Sequence, residues 1–291
     1  MYDNFNSLTS MRINMRNLIL SILILILIAS GLYGCKEDKT VEVKTIEVKT
    51  DFDKYFRQYN VDGTFILYDQ NNDKFYYHNQ DQSGVEFRPA STFKIINSLI
   101  GLETGVIKDE NFVIPWDGVN RQIANWNSDH DLKAAYKNST VWYYQELARR
   151  VGGEQMKHWL DTVKYGNADT TGGIDKFWLS GGLRISPEKQ IDFLRRLHDN
   201  KLPFSQRSMD IVKRIMIAKD TLGYVLRAKT GWSSRDNEDD IGWYVGYFET
   251  KDNVYYFANC IRTSDRNHKD FLKARIEIVY KILEDMKFIK Q

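Results

Sequence analysis

Cysteine and proline are scarce in this chain, with two and four residues among 291. The cysteines, Cys35 and Cys260, form no C-x-x-C pair and no mixed cluster with histidine, which excludes a structural zinc site. The five histidines, at positions 78, 130, 158, 198 and 268, lack H-x-x-x-H spacing and are expected at the surface rather than as ligands. Neither sign of charge dominates: 41 basic and 39 acidic residues are interspersed, for a formal net charge of +2. With no polybasic stripe, a nucleic-acid partner is excluded. Low-complexity tracts and solenoid-period repeats are missing too, which argues against a disordered or repetitive chain. What is present is 42% hydrophobic and 13% aromatic residues, enough to give one globular unit of two lobes a real core.

Residues 1–34 read as a processing signal. Arg12 and Arg16 precede an almost unbroken apolar run from Leu18 to Tyr33. The run falls a little short of the roughly 20 residues that a spanning helix needs. Small residues then lead to Cys35, which is secretory-signal anatomy. The stretch "LYGC" resembles the lipobox of bacterial lipoproteins, and that resemblance implies cleavage after Gly34 and a lipid on Cys35. The alternative is an uncleaved membrane anchor. Both place the rest of the chain outside the cytoplasm, on the periplasmic or cell-surface side. Residues 35–51 alternate charge with Val, Thr and Ile; they could form an edge strand but have little to bury, and read as an extended tether. With Cys35 lipidated, Cys260 in "VYYFANCI" has no disulfide partner and reads as a buried small hydrophobe.

The body of the chain, 52–291, begins with strands. "DGTFILYDQ" and "DKFYYHN" are β-branched and aromatic runs around an Asn-Asn-Asp turn, the pattern of a hairpin. From Arg88 to about Leu202 the spacing becomes helical. "TVWYYQELARRVGG" ends in a glycine stop, and "SPEKQIDFLRRLHDN" begins with Ser186 as N-cap and Pro187 at the first helical position. Strands return at "GYVLRAKTGW", "IGWYVGYFET" and "NVYYFANCI", and an amphipathic helix closes the chain. The expected class is α/β of the segregated, α+β kind. An antiparallel sheet is flanked by N- and C-terminal helices, from about 52–87 and 205–291, and an all-helical lobe, about 88–204, is inserted. A cleft between two such lobes is a common place for a site.

Two S-x-x-K strings occur. Ser186 to Lys189 is explained by the helix cap. Ser91-Thr92-Phe93-Lys94 differs, because its neighbours are apolar. Positions i and i+3 share a helix face, so hydroxyl and amine meet. Burial makes the ammonium costly, and a lysine that sheds its proton is a base able to activate a serine. The plain alternative is a snorkelling surface lysine. "KTG", Lys229 to Gly231, occurs once, on an apolar strand ahead of Trp232. A glycine there lets a ligand approach the strand's N–H and C=O groups. The alternative is a strand end turning into "SSRDNEDD". For Ser139 in "NSTVW" the alternative is an N-cap; for "YGN", Tyr165 to Asn167, an ordinary turn; for Trp178 in "FWLSGGLRISP", a core anchor.

In this order, S-T-F-K (Ser91–Lys94), S-x-V (Ser139–Val141), Y-G-N (Tyr165–Asn167), W-x-x-G-G (Trp178–Gly182) and K-T-G (Lys229–Gly231) resemble class D, oxacillinase-type, serine β-lactamases. Connecting stretches such as "IPWDG" and "GWYVGYFET" are similar as well, so the resemblance covers about residues 52–288. It implies the β-lactamase/transpeptidase-like fold and hydrolysis of penicillin-type antibiotics. Ser91 matches the acylated nucleophile, and Lys94 the lysine that carbon dioxide carboxylates to make the general base. Ser139 matches the proton relay, Val141 the apolar residue that keeps the site dry, and Trp178 the indole that holds the carbamate. Lys229, Thr230 and Gly231 match the substrate strand, and Ser91 and Trp232 the backbone donors of the oxyanion hole. Arg275 in "LKARIEI" aligns with the arginine for the substrate carboxylate, in a looser motif. Tyr165 and Asn167 are read as structural. Class A enzymes instead use S-D-N and a separate glutamate; the nearest string here, "NSDHD", lacks the asparagine. The implied partners are small-molecule β-lactams and, through the N-terminus, a membrane. No metal or separate cofactor is implied beyond carbon dioxide or bicarbonate. Two relatives of the motif remain as alternatives: a β-lactam sensor and a penicillin-binding D,D-peptidase, both acylated without turnover. A third is a catalytically dead wall-binding lipoprotein.

Overall fold

A computed structural model describes residues 46–49 and 51–289. In chain order its elements are β1 (Ile46–Lys49), α1 (Asp53–Gln58), β2 (Asp62–Asp69), β3 (Lys74–His78), α2 (Lys94–Glu103), α3 (Leu132–Lys137), α4 (Val141–Val151) and α5 (Gly153–Val163). They continue with α6 (Pro187–His198), α7 (Gln206–Ile215), β4 (Ile217–Asp220), β5 (Val225–Ser233), β6 (Asp240–Glu249), β7 (Val254–Thr263) and α8 (Phe271–Asp285). The strands form one sheet in the order β1-β3-β2-β7-β6-β5-β4. Every neighbouring pair is antiparallel except β1 with β3.

The central strands are apolar on both faces, and this dictates layers on both sides of the sheet. Along β2, Phe65 and Leu67 face one layer and Ile66 and Tyr68 the other. The first layer is α1 and α8, which contribute Phe52 (just ahead of α1), Phe56, Phe271, Ala274, Ile278 and Ile282. The second is the helical lobe, where α2 is buried along almost its whole length. Short-range signals explain the ends of several helices. Ser186 Oγ accepts from Lys189 N at 3.2 Å, with Pro187 at the first turn, and Gly152 closes α4 at φ +82°. Cys260 is buried in β7.

Some expectations need correction. The helical part does not end near Leu202: α7 packs against α2 and α3, and strand resumes at Ile217. The amphipathic pattern of "QRSMDIVKRI" carries this, with Met209, Ile211, Val212 and Ile215 buried. Residues 46–49 of the expected tether pair with β3 as an edge strand, since β3 leaves a free edge to extend. His130 is not a surface residue but is 2% exposed, with Nδ1 2.7 Å from Ser128 O. The signal segment and Cys35 lie outside the described residues. Among the described residues no helix is long and apolar enough to cross a membrane.

Candidate active site

Ser91 sits on a short 3-10 turn, Ala90–Phe93, that runs directly into α2 at Lys94. Pro89 sets up the turn, and Ala90 adopts φ +47°, a left-handed conformation unfavourable for a residue with a Cβ. Surrounding bonds hold it there. Ala90 N donates to Trp178 O at 3.1 Å, Thr92 N and Oγ1 donate to Pro89 O at 3.1 and 2.8 Å, and Gln190 Nε2 donates to Thr92 Oγ1 at 3.0 Å. The nucleophile candidate therefore stands on a rigid corner.

Lys94 is 0% exposed, and its Nζ lies 2.7 Å from Ser91 Oγ. Tyr144 presents its ring face 5.2 Å from the amine. Burial, and after it the nearby Lys229, pushes the pKa of Lys94 well below the ordinary value, and no carboxylate offsets either cause. The neutral amine is favoured.

Ser139 comes from the α3–α4 junction, at φ +53°. It is not the N-cap of α4; Thr140 holds that position. Its Oγ instead accepts from Lys229 Nζ at 3.1 Å, across 90 residues of sequence. Lys229 is 5% exposed, donates also to Thr230 O at 3.1 Å, and lies over the Tyr136 ring. Burial, then Arg275, lowers its pKa to about 7.

Lys229, Gly231 and Ser233 alternate onto the face of β5 that meets the Ser91 turn. A Cβ on Gly231 would lie 3.0 Å from Pro89 O and 3.2 Å from Thr92 Cγ2, tighter than an ordinary contact, so glycine lets strand and turn lie close without displacing either. Arg275 reaches the same strand from α8, its Nη1 donating to Gly231 O at 2.5 Å. Burial lowers its pKa to about 10. Trp232 is 49% exposed at the rim, with Nε1 donating to Asp240 Oδ2 at 3.2 Å.

Trp178 is buried and stacks on Phe93 at 5.0 Å between centroids, beside the turn. Val141 opens α4, half-buried, two residues after Ser139. Tyr165 packs edge-on against Phe93 and Phe193, and Asn167 ties the glycine-rich stretch through Gly182 O and Arg184 N. Tyr165 and Asn167 therefore brace the site from below. Gln190, which donates to Thr92 Oγ1, and the buried Arg88, whose Nε donates to Ser233 Oγ at 2.9 Å, had no local signal beyond a polar residue in apolar company.

A serine with a buried lysine one helical turn on, a second Ser–Lys pair contributed by another part of the fold, and a glycine-bearing strand beside them define the penicillin-recognising serine class. Residues 63–284 match the penicillin-binding protein transpeptidase domain family. Within it, the chain is 45% identical over 235 residues to β-lactamase OXA-48 of Klebsiella pneumoniae, covering 81% of this chain and 87% of that one. The solved class D β-lactamase YbXI from Nostoc superposes with a TM-score of 0.78 at 46% identity, covering 81% of this chain and 98% of that one. The regulatory protein BlaR1 of Bacillus licheniformis is 36% identical over 231 residues, covering 79% of this chain but 38% of that protein. The chain belongs to the class D serine β-lactamase family.

Proposed function

We propose that the protein hydrolyses the ring amide of penicillin-type β-lactams, through an acyl-enzyme on Ser91, and so confers resistance to them. The observation that carries this reading is the buried amine of Lys94, 2.7 Å from Ser91 Oγ and, among the described residues, without a carboxylate partner. Burial favours the unprotonated amine, which is the form that combines with carbon dioxide. An anion at this position would also turn the repulsion between Lys94 and Lys229 into attraction, so the surroundings fit a carboxylated lysine. Carboxylation would supply an anionic general base there, with two oxygens able to accept the protons of Ser91 and of a water.

Each residue then has a task. Ser91 Oγ gives its proton to the Lys94 side chain and attacks the strained carbonyl. The backbone N–H groups of Ser91 and Trp232 receive the developing oxyanion. Lys229, Thr230 and Arg275 draw the substrate carboxylate along β5. Ser139, hydrogen-bonded to Lys229, passes a proton to the ring nitrogen as the C–N bond breaks. Val141 and Trp178 exclude bulk water around Lys94, which then activates one water to release a penicilloate-like acid.

The likeness to BlaR1 favours a second reading, in which the acyl group is held rather than released. Mixing purified protein with a chromogenic cephalosporin or benzylpenicillin separates them. Sustained turnover is expected; one stoichiometric burst would assign a sensor or penicillin-binding protein, and no reaction a dead scaffold.

Export through residues 1–34 and a lipid on Cys35 belong to the same reading, motivated by "LYGC". In cell fractionation, Cys35→Ser should move the protein from the membrane to the soluble fraction. Unchanged membrane association would favour an uncleaved anchor.

A further inference from the structure

Helix α3 has six residues and one buried face, Leu132, Ala135 and Tyr136, at positions i, i+3 and i+4. Asp131 fixes its start, with Oδ1 accepting from Ala134 N at 2.7 Å. The helix thereby sends the side chain of Tyr136, 4% exposed, toward β5. The hydroxyl donates to Ala228 O at 3.4 Å. The next residue of that strand, Lys229, holds its Nζ over the ring face, 5.6 Å from the centroid.

Lys229 has lost water without gaining an anion. Among the described residues its hydrogen bonds go to neutral acceptors: Ser139 Oγ and Thr230 O at 3.1 Å, and Thr230 Oγ1 at 3.4 Å. The charges that act on it are cations, Arg275 on α8 and Lys94 on α2. With burial and then Arg275 lowering its pKa to about 7, a modest change in its surroundings alters how much of it is charged near neutral pH. Tyr136 brings no negative charge, because burial, the largest cause, pushes its phenol well above the ordinary value and keeps it neutral. What it brings is the electron-rich face of a ring, which attracts an ammonium most where water is excluded. Lys94 also has a ring beside it, that of Tyr144, but among the described residues Ser91 Oγ is its one side-chain acceptor. Lys229, with three acceptors and a ring, is the lysine built to stay charged.

We propose that Tyr136 is a positioning residue whose ring face stands where an ion-pair partner would, keeping Lys229 an ammonium available to the carboxylate of the β-lactam. The inference rests on the hydrolase reading above, in which Lys229 draws that carboxylate. Tyr136 takes no part in the bond changes; it acts through Lys229.

The test compares Tyr136→Phe, Tyr136→Leu and Tyr136→Met with wild type across pH, on benzylpenicillin and on its methyl ester. Phe keeps the ring face and drops only the hydroxyl. Leu and Met fill the space without a ring, and the adaptable Met serves if Leu does not fold. At about pH 7.5 the ringless variants should lose roughly tenfold in kcat/KM for benzylpenicillin, mainly through KM, with kcat within about threefold. The sign with pH follows from the charge. Without the ring the ammonium is less favoured and the folded pKa of Lys229 falls further. The alkaline limb of kcat/KM should therefore move to lower pH, by about one unit. The ester offers Lys229 no carboxylate, so its kcat/KM should be alike in all four proteins. Tyr136→Phe should match wild type within about twofold on both substrates. Three results would each overturn the proposal: ringless variants with wild-type KM and alkaline limb, a Phe variant as impaired as Leu, or equal losses on acid and ester, which would leave Tyr136 a packing residue only. If the protein is acylated without turnover, the hydrolase reading fails but this test stands, because the second-order acylation rate followed by intact mass reads the same ratios.

Discussion

Ser91→Ala should lower β-lactam turnover by about 10⁴-fold or more and abolish covalent labelling, while the fold and Tm are retained. The size follows from the role. Among the described residues no other hydroxyl shares the 2.7 Å contact with Lys94 Nζ. Ser139 lies against Lys229 instead, and its left-handed backbone fixes it there. A replacement nucleophile would have to come from water alone. Losing one buried-edge hydroxyl on a turn braced by Thr92, Gln190 and Trp178 costs little stability, so loss of activity separates cleanly from loss of fold. Steady-state hydrolysis and intact mass check both halves. A rate near wild type would end the assignment of Ser91.

Lys94→Ala should have an effect as large, but of a different kind. Without Lys94, acylation by the strained ring slows, and deacylation, which needs an activated water, nearly stops. Overall turnover should fall by about 10³-fold or more, within the range ascribed to a positioned base and its environment. Burial also sets the direction with pH. The folded pKa of Lys94 lies well below the ordinary 10.5, so the reactive neutral amine persists to lower pH than in an exposed lysine. As pH falls through that depressed value the ammonium forms and cannot be carboxylated. Wild-type activity should therefore drop on the acid side and recover with added bicarbonate. Bicarbonate should do nothing for Lys94→Ala.

Much of this site was legible in the sequence because its signals are local. Ser91 and Lys94 are three residues apart in an apolar run, and Ser186 and Lys189 show the same spacing used as a helix cap, with Ser186 Oγ on Lys189 N. The difference lies in surroundings that are also readable locally. Lys229–Gly231 was legible for the same reason. What could not be read was pairing across the chain. The contact of Ser139 with Lys229 spans 90 residues, and the local alternative, an N-cap, was equally open. Arg88 finds Glu238 across 150 residues. In the fold, the hairpin and the β6–β7 pair declared themselves as β-branched and aromatic runs bounded by turn residues. Strand β4 did not, because all four of its residues are exposed at the sheet edge and carry no apolar pattern. The short β1 showed only as the alternative to a tether, since an edge strand needs little more than a neighbour's free backbone groups.

The central claim is that the buried side chain of Lys94 drives release of the acyl group from Ser91. Intact-mass spectrometry of wild type and Lys94→Ala, followed over time after mixing with excess benzylpenicillin, tests it most directly. The account predicts transient or no adduct in the wild type, and in Lys94→Ala a slowly formed adduct of one penicillin that persists and is not cleared by bicarbonate. An adduct cleared at the wild-type rate without Lys94 would contradict it.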